Sequence, residues 1–186
     1  SPISTFATNT FALSNSNYTL TGGTVSASIT QLSSVTYTGP VGGLWSDGAN
    51  WTVTGGSATG VTPTLGNVAT VIIPAGKTVD YSDAMAGLTP TSAVAITNNG
   101  AIDFTNTTGT TTIGSALSGS GALSMSGAGT LTLSGANSYT GGTTVSAGTL
   151  SVTGSLSNTT AVSVTSGATY DVGLNDTIAS LSGAGY

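Results

Sequence analysis

The chain has 186 residues, with one basic residue (Lys77), six acidic residues that are all Asp, and no Arg, Glu, His or Cys. A formal charge of −5 with a single cation gives no basic footprint for nucleic acid and nothing to draw the chain to an anionic membrane. The missing His and Cys exclude a Ser-His-Asp site, imidazole or thiolate metal ligation, and disulfides.

The composition points to β-structure. Helix-favouring Glu, Lys and Arg are almost absent, whereas Thr and Val suit a pleated surface and Gly and Asn suit turns. Disorder is the competing reading of so much Gly and Ser, but mean hydropathy is positive and Pro is scarce. No apolar run approaches the length of a membrane-spanning helix. Ser1-Pro2-Ile3-Ser4-Thr5 lacks the charged start and apolar core of a signal peptide, so a mature or trimmed chain is expected.

Residues 1–40 are Ser/Thr-rich, and 19–29 read as two strands around the Gly22-Gly23 turn. This segment is expected to be a separate β segment, a cap or a donated strand. Gly39-Pro40 and Gly42-Gly43 mark a boundary. Asp47-Gly48 is a turn signal with Trp45 and Trp51 on either side. Residues 55–66 look like a loop, and Val68–Ile73 is the most apolar strand. Short strands follow at Val79 and Tyr81, at 93–96 and at 101–104, the last two joined by an Asn98-Asn99-Gly100 turn.

From about residue 112 the chain repeats itself. Ser118-Gly119-Ser120-Gly121-Ala122-Leu123 is echoed by Ser126-Gly127-Ala128-Gly129-Thr130-Leu131 and again near 146–150 and 181–185. Each echo is a small-residue turn that leads into a strand such as Thr130-Leu131-Thr132-Leu133, apolar on one face and hydroxylic on the other. Short strands at a recurrent spacing predict a solenoid whose stacked coils bury a shared column. The expected fold is all-β, a parallel β-helix over 41–186, with a β-sandwich as the alternative.

Residues 123–150 closely resemble the passenger-associated repeat of bacterial autotransporters. The landmarks are Gly127, Gly129, Leu131, Leu133, Gly135, Asn137, Tyr139, Gly142, Thr143, Val145, Gly148 and Leu150. Asn and Tyr at such offsets do not follow from low complexity alone. Residues 167–185 look like the coil that follows such a repeat, and Trp45, Asn50-Trp51 and Ile72–Gly76 look like the segment ahead of it. The resemblance implies a right-handed parallel β-helix, secreted to a bacterial cell surface or extracellular matrix, in a stalk or adhesin. It also implies a link between the repeat and passenger secretion and folding.

Candidate chemistry is sparse. Lys77 with Asp80 and Asp83 is the one basic–acidic cluster, read either as a remnant lyase-like site or as a surface salt bridge. Asp171 with Asp176, or Asp80 with Asp83, are the carboxylate pairs a glycosidase would need. The calcium signature of β-roll repeats is missing. No catalytic residue, metal site or cofactor is expected, and the chain is not expected to be an enzyme. Trp45 and Trp51 are either a structural cap or a sugar-stacking platform. The five Asn-x-Ser/Thr triplets, opening at Asn17, Asn50, Asn106, Asn158 and Asn175, are expected by chance in a chain so rich in Thr. Two functions remain: a passenger stalk, or a subunit of an extracellular filament or biofilm matrix fibre. Expected partners are further copies stacked end to end, or a host or matrix glycan or protein. Neither nucleic acid nor membrane insertion is expected. The pattern at Leu181–Tyr186 suggests uncapped β edges open to pairing.

Overall fold

The computed structural model describes residues 32–54, 60–63, 68–83, 94–173 and 176–185. The expected strands around Gly22-Gly23, and most of the 1–40 segment, lie outside these residues, as does part of the 55–66 loop. Residues 31–186 form one compact unit, distinct from 1–30.

The fold is a parallel β-solenoid of about five turns. Its first wall contains β1 (Val35–Tyr37), β3 (Trp51–Val53), β4 (Thr70–Ile73), β6 (Ala95–Asn98) and β9 (Leu117–Ser118), in the spatial order β3-β1-β4-β6-β9. The second wall runs from β2 (Gly43–Leu44) through β5 (Thr78–Tyr81), β7 (Ala101–Phe104), β10 (Ala122–Met125), β12 (Thr143–Val145) and β14 (Ala161–Val164) to β16 (Ser180–Gly183). The third stacks β8 (Thr110–Ile113), β11 (Thr130–Leu133), β13 (Thr149–Val152) and β15 (Thr169–Val172). From β4 onward the chain returns to each wall in turn, so each parallel strand pairs with the one laid down a full turn earlier. A bridge between Ala136 and Ser155 carries the first wall on where no strand forms.

Alternation in sequence becomes inside and outside in the structure. In β11, Leu131 and Leu133 are buried while Thr130 and Thr132 lie on the half-covered outer face. Strict register then builds columns. Val79, Ile102, Leu123, Thr143, Val162 and Leu181 stack inside the second wall. Tyr81, Phe104, Met125, Val145 and Val164 form a second column beside it. No coil could shield its own inner face; each buried Leu, Ile or Val contributes roughly 1.5–3 kcal/mol only because its neighbours cover it.

The pattern changes at the first coils. β1 lies within residues 1–40, yet it pairs parallel with β4, so the solenoid begins before residue 41. β3 runs antiparallel to β1, pairing Val35 with Val53 and Tyr37 with Trp51. The Asp47-Gly48 turn signal falls at this reversal. The antiparallel pairing arises because the chain doubles back through the 3-10 turn Gly48–Asn50, which Asp47 caps by accepting from the Ala49 N–H at 2.9 Å. The first wall therefore meets an antiparallel strand at this end.

Candidate functional site: the ladder at the repeat

The repeat spans β10 to β13, and its landmark residues tie coil to coil. Leu131, Leu133, Val145 and Leu150 are buried in the columns. Asn137, also buried, bridges three coils. Its Oδ1 accepts from the Leu117 N–H at 3.2 Å, on the preceding coil. Its Nδ2 donates to the Gly135 carbonyl at 2.9 Å in its own coil and to the Ser155 carbonyl at 3.0 Å in the next. Tyr139 is buried too, and its hydroxyl shares a 2.6 Å hydrogen bond with Thr143 Oγ1. That contact explains a hydroxyl in an inward column otherwise built of Val, Leu and Ile. The Tyr139 carbonyl accepts from Thr160 Oγ1 at 2.8 Å, which adds the coil above. Burial holds the Tyr139 phenol up at about 12, against a smaller opposing pull from the Thr143 bond.

The glycines let backbones approach. A Cβ on Gly135 would overlap the Ser115 carbonyl oxygen, and one on Gly127 that of Asn106. Gly148 meets the Gly129 carbonyl and also has a φ of +64°. Gly142 differs: the nearest atom to an added Cβ there, Ala161 O, is 3.9 Å away. The close approach belongs to Gly141, whose Cβ would overlap the Gly121 carbonyl. Sequence alone could not choose between adjacent glycines.

Trp45 and Trp51 are not a surface platform. They are 1% and 0% exposed, and their rings meet edge-on with centroids 4.9 Å apart. Tyr37 packs on Trp51 at 5.2 Å and Tyr81 on Trp45 at 5.4 Å, and Phe104 continues the series. The indole N–H groups are spent internally, Trp45 Nε1 on the Pro63 carbonyl and Trp51 Nε1 on the Trp45 carbonyl, both at 2.9 Å. This aromatic plug fills the first coils and leaves no ring face for a sugar.

The expected groupings of Lys77 with Asp80 and Asp83, and of Asp171 with Asp176, do not form. Lys77 Nζ donates to the Gly39 carbonyl at 2.6 Å and, at 3.4 Å, to that of Thr38, so it fastens an earlier loop rather than pairing with Asp80 or Asp83. Asp83 accepts from the Thr107 N–H at 3.1 Å and from its hydroxyl at 2.6 Å. These bonds hold its carboxyl below the usual carboxylate range. Asp171 accepts from Ser151 Oγ, and Asp176 from the Leu156 N–H. Each of these three carboxylates ties coils together. Among the described residues no group of three or more metal-ligating side chains comes together.

The outer face of the third wall carries hydroxyls in rank: Thr110, Thr130, Thr149 and Thr169 in one row, Thr112, Thr132 and Ser151 followed by Asp171 in the other. A solenoid wall with such a face and a side-chain ladder at its centre is the frame of a structural module.

Comparison with known proteins agrees. Residues 123–152 match the family model described as the passenger-associated-transport-repeat. No curated protein and no solved structure matches the chain significantly. The chain thus carries the repeat within a β-solenoid, a combination that fits an autotransporter passenger-type structural module. The repeat is one of secreted or surface-exposed proteins.

Proposed function

We propose that this chain is a rigid, non-catalytic stalk or adhesin-type segment of a secreted bacterial surface protein. The observation that carries the reading is the three-coil clamp at Asn137, set inside the matched repeat. A clamp that joins coils, rather than one that opens toward solvent, suits a part that transmits length and load. The test is to place the chain between a secretion signal and an outer-membrane translocator in a Gram-negative host. The expected product is a surface-exposed, protease-resistant rod that turns over no ester or glycan substrate. Turnover abolished by Asp171→Asn or Asp176→Asn would overturn the reading.

End-to-end stacking is the second reading, favoured by one observation. In the last described coil the inward positions Leu181 and Val172 are 62% and 40% exposed. With Tyr170 they present an apolar face that fits one more coil in the same register, from the same polypeptide or a second copy. Sedimentation of the chain and of Leu181→Asp tests it. Concentration-dependent association that the substitution removes supports stacking by copies, and monomers at all concentrations refute it.

A further inference from the structure

We propose that Asp80 and Asp103 form an acid-operated latch that tightens the aromatic-plugged end of the solenoid. The two residues are direct partners in the β5–β7 pairing, on the outer face of the second wall. Paired strands lie about 4.8 Å apart, so two carboxylates are stacked side by side. Like charges set directly opposite destabilise a sheet. The chain's one cation gives no relief, because Lys77 Nζ is turned to the Gly39 and Thr38 carbonyls.

The two carboxylates are not equivalent. Asp103 accepts from Ser124 Oγ at 2.7 Å and from Ser126 Oγ at 2.9 Å. Among the described residues, no donor reaches the Asp80 carboxylate. Gly42 lies alongside, where a Cβ would be 4.0 Å from both Asp80 oxygens, and it contributes no side chain to the group. Tyr37 on β1 lies within electrostatic reach of both Asp80 and Asp47, Lys77 precedes β5, and the β2 strand facing Asp80 has no titratable side chain. Burial, then the Asp103 charge, raises the Asp80 carboxyl above its usual range. On acidification a proton on the donorless Asp80 carboxyl turns that group into a hydrogen-bond donor facing Asp103. A repulsive contact becomes a charge-assisted hydrogen bond between coils.

Its position gives the switch a mechanical reach. The Asp80 carbonyl accepts from the Trp45 N–H at 2.8 Å, and Leu44 is the strand partner of Asp80. The short edge strand β2 and the root of the aromatic plug both hang on this residue. A raised carboxyl makes the folded state the better proton binder. The latch is thus open at neutral pH, and stability rises as pH falls through the folded value toward about 4.

The test is thermal unfolding from about pH 7.5 to about pH 4, with hydrogen exchange at the Trp45 amide as the local readout. The expected result is a melting temperature that rises by roughly 2–4 °C on acidification, with slower Trp45 exchange after correction for intrinsic rates. Asp80→Asn, a neutral isostere, should be at least as stable as the native chain at neutral pH and lose the rise. Asp103→Asn should lose it too. A rise that persists unchanged in both variants, or no rise in the native chain, overturns the latch. Stabilisation at neutral pH by millimolar calcium chloride that needs both Asp residues also overturns it and makes the pair a cation site. None of these outcomes bears on the stalk reading, which does not depend on Asp80.

Discussion

Replacing Asn137 by Ala puts the three-coil clamp to a quantitative test. Truncation removes one acceptor and two donations. The Gly135 and Ser155 carbonyls keep backbone donors, from the Ser155 and Asn137 N–H groups respectively. The Leu117 N–H is buried against Asn137 and has no such substitute. An orphaned buried N–H costs about 1–3 kcal/mol, and each lost bond about 1 kcal/mol net. The sum is about 3 kcal/mol, and for a chain of this size each kcal/mol lowers the melting temperature by about 2–4 °C. Thermal unfolding followed by far-ultraviolet circular dichroism should show a loss of about 6–12 °C. Asn137→Asp retains the acceptor but forfeits both donations and buries a charge. It should be no better than Asn137→Ala at neutral pH and recover in part on acidification, as the carboxyl regains a proton to donate. A drop under about 1 °C for Asn137→Ala would refute the clamp.

Three further outcomes follow from the same geometry. Gly135→Ala should unfold several degrees below the native chain because its Cβ meets the Ser115 carbonyl, whereas Gly142→Ala should melt within about 1 °C of it; equal effects would show that the backbone spacing is wrong. Tyr139→Phe and Thr143→Val should each cost about 1–3 kcal/mol in urea unfolding by stranding the partner hydroxyl, and the double variant should cost little more than either alone; simple additivity would contradict the buried pair. Asp83, held low by Thr107, stabilises above its unfolded value near 4 and loses that effect as pH falls through the lower folded value. Asp83→Asn should therefore flatten the fall in melting temperature below about pH 4, and an unchanged acid limb would exclude Asp83 as its source.

Fold and site were legible in the sequence to different depths. Alternation such as Thr130-Leu131-Thr132-Leu133 dictates one wet and one dry face, and recurrence at about twenty residues allows only stacking to cover the dry one. The offsets of Asn137 and Tyr139 marked the clamp, since backbone amides at fixed heights can be met only by side chains at fixed positions. What stayed hidden depends on contacts distant in the chain. Trp45 and Trp51 have the same side chains whether they stack on a sugar or on Tyr37 and Tyr81. Lys77 was expected to look to nearby carboxylates; its partners are carbonyls 38 and 39 residues earlier. The Asp80–Asp103 stack is set by the inter-coil register, which the less regular coils before residue 112 did not reveal.

The residue-for-residue pairing of the coils has a consequence for reach. From Leu131 to Leu150 the chain spends nineteen residues to return one strand higher, a gain of about 4.8 Å. The same stretch drawn out as a single strand would cover about 60 Å. This architecture exchanges nearly all of its contour length for girth. Projecting a contact point far from a cell by this means takes a very long polypeptide, and lengthening it by evolution proceeds most simply in whole turns, since each added turn reuses the walls and columns already present.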